Sequence, residues 1–295
     1  MIKILESIDT HEQAFRNKAW LDISREYAQD LGVTANFAAL HGFYYSDSGQ
    51  KIVWEDSVRA AIASSISLPP EALLPSLTEE LKFPVTYVQI MNQTTLQASK
   101  VLVDAGFQPL ALNFASGTSP GGGFLSGSRA QEENLCRSSA LYATIKGDAM
   151  YDHHRRNDRH RASDWAILSP NVPVFRVDNG ETLDTPWNLS FITSAAPIAF
   201  RIDCLEARSL LKRRIHRVLA VAAAYGYTTL VLGAWGCGAF GNDPATTAHD
   251  FIEALAGEFD GVFDRVVFAI TDWSPERRFI GPFKEVFTHY EKIIA

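Results

Sequence analysis

The 295-residue chain predicts an α/β fold: a layered sheet with helices on both faces, preceded by a helical extension. Three observations carry this. From about residue 84 onward, short β-rich runs alternate with helix-patterned segments. Two glycine-rich stretches each follow a predicted strand and precede a predicted helix, the place where such sheets bind ligands. Before residue 84 no strand–helix alternation is visible.

The elements follow in order. Residues 9–30 read as a helix, with Phe15, Ala19, Trp20, Ile23 and Tyr27 at helical spacing. Residues 31–80 mix aromatics, a Leu-Pro-Pro turn and an acidic helix-prone piece, so 1–83 is assigned to a helical extension and 84–295 to the main domain. Trp20, Phe37, Phe43, Tyr44, Tyr45 and Trp54 are expected to stitch the two together. The main domain opens with a strand at 85–91 and a helix at 94–105, closed by Gly106. A strand at 110–114 leads into Gly121-Gly122-Gly123, and Ser128 with Gln131 has capping-box spacing, so a helix is expected from Ser128 to 145. Strands follow at 165–168, 172–177 and 189–194. A long helix at 204–225 carries Leu205, Leu211, Ile215, Val218, Leu219 and Ala222 on its apolar side, leaving Arg208, Lys212, Arg213, Arg214 and Arg217 for solvent. A buried strand at 229–232 precedes the loop 233–241. The next helix starts at Asn242-Asp243-Pro244, with a polar cap and Pro in the first turn. The last strand spans 265–270, and a terminal helix runs from about Pro282.

Composition narrows the function. A hydrophobic share of 46% and a charged share of 21% describe a globular chain. No segment approaches the roughly 18 apolar residues of a membrane span, and the N-terminus is unlike a signal peptide, so no membrane and a cytoplasmic location are expected. The net charge of −7 argues against a dedicated nucleic-acid binder while leaving room for a locally basic groove. Cys136, Cys204 and Cys237 are too far apart for a zinc knuckle and odd in number for a disulfide framework. The run 151–161 is rich in His and Arg, but His153 and His154 are adjacent rather than four apart, so it is expected as a solvated loop, not a metal site.

The chemistry gathers at the glycine stretches. Three glycines leave bare backbone that a ligand can approach, and Gln131, Glu132 and Glu133 follow directly. Adjacent helical residues point about 100° apart, so one carboxylate can face a substrate while the other anchors the loop. A Glu serving as acid must hold its proton near neutral pH; a helix N-terminus opposes that, whereas burial and a nearby anion favour it. Gly236, Gly238 and Gly241 precede a helix N-terminus, an arrangement that binds phosphate through backbone amides or serves as a plain tight turn. Cys237 reads either as an exposed nucleophile or as a small residue filling a crowded loop.

Gly121-Gly122-Gly123 with Gln131-Glu132-Glu133 resembles the signature of the poly(ADP-ribose) glycohydrolases. Asn113-Phe114-Ala115-Ser116 and Trp235-Gly236-Cys237-Gly238-Ala239-Phe240-Gly241 are similar to that family too, most closely to its bacterial type. The motifs cover about 113–139 and 231–244, and their order extends the resemblance over 84–295. It implies a macrodomain-like three-layer α/β/α sandwich with a mixed central sheet. It implies that Glu133 is the catalytic acid/base and that Glu132 binds ribose. By the same resemblance Asn113 and Ser116 contact the distal ribose, Gly236, Gly238, Ala239 and Gly241 bind the diphosphate through their amides, Phe240 packs on the distal ribose, and Cys237 belongs to the substrate-binding loop. No metal or cofactor is implied. The expected substrate is poly(ADP-ribose) or an ADP-ribosylated macromolecule, with ADP-ribose as product. The tyrosine-bearing clasp of the animal enzymes is not found, so release from the chain end is expected. Phe268 and Trp273 are candidates to stack on adenine. The alternatives are a hydrolase of single ADP-ribose units and a non-catalytic reader.

Overall fold

The computed structural model describes residues 1–6, 22–76 and 83–294. Its centre is an eight-stranded sheet in the order β1-β5-β10-β9-β6-β8-β7-β4. The strands are β1 (Ile2–Leu5), β4 (Ile66–Leu68), β5 (Thr86–Met91), β6 (Leu110–Phe114), β7 (Ala166–Arg176), β8 (Thr182–Ser194), β9 (Thr229–Leu232) and β10 (Arg265–Ala269), with β2 (Phe43–Tyr45) and β3 (Lys51–Val53) forming a separate hairpin. The six strands from β1 to β8 in that order run parallel, and β7 is antiparallel to both its neighbours. The mixed sheet matches the expected sandwich.

Strand side chains alternate between faces. Leu110, Leu112, Leu230, Leu232, Val266 and Phe268 join one core, with helices α7 (Cys204–Ala224), α8 (Pro244–Ala256) and α9 (Ile280–Ile294). Ala111, Val231, Val267 and Ala269 join the other, with α2 (Glu55–Ser64), α3 (Thr95–Asp104), α4 (Gln131–Ser138) and α5 (Leu141–Ile145). Two cores separated by one sheet make the three layers.

Several expectations are corrected. Of the helix expected at 9–30, residues 9–21, including Phe15, Ala19 and Trp20, lie outside the described residues. The described helix is α1 (Arg25–His41), because Ser24 caps it by accepting a hydrogen bond from the Tyr27 N–H at 3.1 Å. Residues 1–83 are not purely helical: β1 and β4 form the two edges of the main sheet. The stitching aromatics divide. Tyr44 and Trp54 are buried against Phe175, with centroids 4.9 and 4.7 Å away, whereas Phe37 and Tyr45 are exposed. The helix expected over 128–145 begins at Gln131 and breaks at Ser139, which bridges to Val174 of β7. The two strands expected at 165–168 and 172–177 are one strand with a bulge between Ser169 and Val172, where Asn171 adopts φ 49°. Arg214, expected in solvent, is fully buried and donates to the Ala195 and Arg161 carbonyls. The run 151–161 is largely helical, lying on α6 (Ala149–Arg156), with His154 buried.

Candidate active site

The carboxyl ends of the central parallel strands open into a cleft of about 410 Å³. β6 feeds the cradle at 116–127, β9 feeds the loop 233–241, and β10 feeds residues 270–279, so three loops distant in sequence meet over one sheet edge.

The cradle is built around two acids. Gly122 has φ 58°, and a Cβ placed on it would lie 2.2 Å from Glu133 Oε1 and 3.1 Å from Glu132 Oε2. Both carboxylates therefore converge on backbone that only glycine can supply. Glu133 Oε1 accepts the Gly123 N–H at 2.9 Å, while its Oε2 is buried and has no partner in the protein. Glu132 is more enclosed: Oε2 accepts the Ser116 N–H at 2.7 Å, and Asn113 Nδ2 donates to Oε1 at 3.4 Å. Burial pushes the Glu132 carboxyl up to about 8; the Ser116 N–H opposes this and the neighbouring Glu133 charge adds to it.

Gln131 does not form the expected cap with Ser128; α4 has Ala130 at its N-cap without a side-chain bond. The Gln131 amide instead extends the edge of β6, accepting the Phe114 N–H at 2.9 Å and donating to the Leu112 carbonyl at 2.8 Å. Two backbone partners hold the amide better than one cap would, and they lock the start of α4 to the strand beneath. Gln131 lines the cleft, yet its amide is spent on the protein. Asn113 is fully buried behind Glu132 and also donates to Thr193, so it meets the site through the carboxylate. Ser116 lines the cleft.

The same cleft is lined by Gly236, Gly238, Ala239 and Phe240, ahead of α8 with Asp243 at its N-cap. Gly236 and Gly241 adopt φ of 75° and 72°. Among the described residues, no hydrogen bond takes up the Ala239 and Phe240 N–H groups, which leaves donors for an anion. Cys237 turns away: its thiol lies 3.5 Å from Thr247 Oγ1, and burial pushes it up to about 12, which leaves no thiolate nucleophile near neutral pH. It fills the crowded loop.

At the β10 end Trp273 and Phe279 line the cleft. Phe268 does not; it is fully buried among Phe251, Phe283 and Phe287, because its position on β10 faces the α7–α9 layer. Sequence reasoning passed over one wall entirely. Asp178, following β7, accepts from Thr94 Oγ1 at 2.8 Å and from Asn134, and Arg137 donates to Asn134 Oδ1 at 3.1 Å; all four line the cleft. Burial raises the Asp178 carboxyl. The one available signal was the spacing of Arg137, one helical turn beyond Glu133. Among the described residues no cluster of His, Cys, Asp and Glu is suited to a metal, and no helix is long and apolar enough to cross a membrane.

A sheet-end cleft here pairs two carboxylates on a glycine cradle with an amide-lined loop, groups suited to acid–base chemistry beside a bound anion. The comparisons give the family. A model described as the microbial-type PARG catalytic domain matches residues 35–177. The crystal structure of poly(ADP-ribose) glycohydrolase from Thermomonospora curvata is similar over 89% of this chain and 100% of that one, with 38% identity and a TM-score of 0.83. The same enzyme bound to the inhibitor ADP-HPD gives 38% identity and a TM-score of 0.81, over 88% of this chain and 99% of that one. The Deinococcus radiodurans enzyme in complex with ADP-ribose covers 79% of this chain and 97% of that one, with 35% identity and a TM-score of 0.72. No curated protein sequence matches. The chain belongs to the bacterial-type poly(ADP-ribose) glycohydrolase family.

Proposed function

We propose that this chain hydrolyses the ribose–ribose O-glycosidic bond of poly(ADP-ribose) from the chain end and releases ADP-ribose. The observation that carries the reading is the convergence of Glu132 and Glu133 on Gly122 in the same cleft as the free amides of Ala239 and Phe240. The diphosphate sits on those amides and at the start of α8, and adenine lies towards Trp273. Gln93 Oε1, buried in the cleft lining without a partner, is available there to accept from a base amine.

Glu133 does the proton work. Its Oε1 is fixed by Gly123, which leaves the buried, unpartnered Oε2 as the oxygen that moves the proton. As the C–O bond breaks, Glu133 gives its proton to the departing ribose oxygen, and the anomeric carbon passes through an oxocarbenium-like state. The resulting carboxylate takes a proton from the attacking water, whose oxygen bonds to that carbon. Glu132, carrying its proton near neutral pH, presents a neutral acid to the sugar hydroxyls.

The test uses automodified polymer, mono-ADP-ribosylated protein and Glu133→Gln. Expected is polymer turnover to ADP-ribose by the wild type and a loss of roughly 10²–10⁴-fold in kcat for the variant, the usual contribution of general acid–base catalysis. Turnover of the mono-modified substrate alone would replace the polymer by a single unit as substrate, and ADP-ribose binding without turnover would make the chain a reader.

A further inference from the structure

His154 lies outside the cleft lining, yet it is 1% exposed and uses both ring nitrogens. Nδ1 is 2.8 Å from the Gly117 carbonyl oxygen, and Nε2 is 2.7 Å from Ser163 Oγ. A carbonyl only accepts, so the proton is on Nδ1 and Nε2 accepts from the Ser163 hydroxyl. Ser163 Oγ in turn accepts the Trp165 N–H at 3.3 Å. Burial disfavours the imidazolium form, in keeping with this neutral tautomer.

The far side of the same peptide unit matters. The Gly117–Thr118 peptide has its oxygen held by His154 and its N–H directed to Ser116 Oγ at 3.4 Å. The next peptide repeats the pattern: Arg155 donates to the Thr118 oxygen, and the Ser119 N–H donates to Ser116 Oγ at 3.2 Å. Ser116 then gives its own N–H to Glu132 Oε2, and Ser119 accepts the Gly122 N–H at 2.9 Å. Two neighbouring side chains of α6 thus pin two successive peptides of the loop that anchors Glu132 and leads into the cradle. Arg155 is half exposed and shared with Asp152, which leaves His154 as the rigid member.

We infer that His154 is a positioning residue for the hydrolysis: by fixing the Gly117–Thr118 peptide it holds Ser116 and the Gly122 cradle, and through them both carboxylates, in register with the bond. The inference rests on the glycohydrolase reading for its kinetic half only.

The two nitrogens can be replaced separately. His154→Asn places an amide donor near the Nδ1 position, and His154→Gln places one near Nε2. The measurements are amide exchange at Ser116, Thr118 and Ser119, thermal midpoints, and kcat and KM on polymer. Expected for His154→Gln is exchange at those three amides faster by about tenfold or more, with kcat lower by about tenfold and KM within about twofold, because small displacements of catalytic groups lower turnover more than binding. Expected for His154→Asn is exchange and kcat within about threefold of wild type, at a thermal midpoint lowered as much as in the Gln variant. Equal kinetic losses in the two variants, or a lowered midpoint with unchanged kcat in His154→Gln, overturn the inference. Wild type that leaves polymer intact refutes the glycohydrolase reading instead, and the exchange pattern still decides whether His154 holds the loop.

Discussion

Gly122 and Glu133 are coupled by space: the position a Gly122 Cβ would take is 2.2 Å from Glu133 Oε1, and the glycine sits at φ 58°. Neither the backbone angle nor the carboxylate tolerates a methyl group there. Gly122→Ala is expected to push the Glu133 carboxylate off its Gly123 hydrogen bond and lower kcat by about 10²-fold, the effect of an ångström-scale misplacement. Steady-state kinetics with ADP-ribose binding as control checks this; unchanged kcat would remove the cradle from the mechanism.

The loop 233–241 separates two glycines by the same criterion. A Cβ on Gly236 would meet Asn242 Nδ2 at 2.6 Å and Ala196 Cβ at 2.7 Å at a φ of 75°, whereas one on Gly238 meets nothing within 4 Å. Gly236→Ala is expected to cost roughly 1–3 kcal/mol of stability, as for strained backbone elsewhere, and Gly238→Ala almost none. Denaturant unfolding of the two variants decides it, and equal losses would contradict the loop geometry.

Glu132 makes stability depend on pH. Its folded carboxyl is raised to about 8 from an ordinary 4.5, so between those values the folded state holds a proton that the unfolded chain has released. Stability therefore falls as pH rises from about 4.5 to about 8 and levels off above that. Glu132→Gln removes this contribution. The thermal midpoint of wild type relative to Glu132→Gln is expected to decline across pH 5–8; a constant difference would mean the buried carboxyl is not raised.

Thiol chemistry tests the exclusion of Cys237. Cys136 and Cys237 are buried and burial raises both thiols, while Cys204 is exposed. Mild alkylation of the native protein is expected to label Cys204 alone and leave turnover unchanged, with all three labelled after denaturation. Inactivation that persists in Cys204→Ser would reinstate a cysteine in the site.

Trp273 and Phe268 differ in kind. Trp273 lines the cleft and Phe268 packs in the core. Trp273→Ala is expected to weaken ADP-ribose binding by about 1–3 kcal/mol, the worth of one base–aromatic stack, with little change in melting. Phe268→Ala is expected to lower stability by about 3–5 kcal/mol through a cavity. Calorimetric binding and melting of each variant separate the two.

Features encoded within a few residues were legible in the chain alone. The helix at 94–105, the Asp243–Pro244 helix start, and strands 110–114 and 229–232 all stand where local hydrogen bonding and side-chain alternation put them. The acids beside three glycines were legible for the same reason. Tertiary structure decided the rest. β1 pairs with β5 across more than 80 residues, and β4 with β7 across about 100, and no three- or four-residue run announces so distant a partner. Gln131 left its expected cap because β6 offered its amide two backbone bonds. Arg214, His154 and Phe268 show the same limit: residue type suggests a place, but which groups close around a side chain depends on segments far away in the chain.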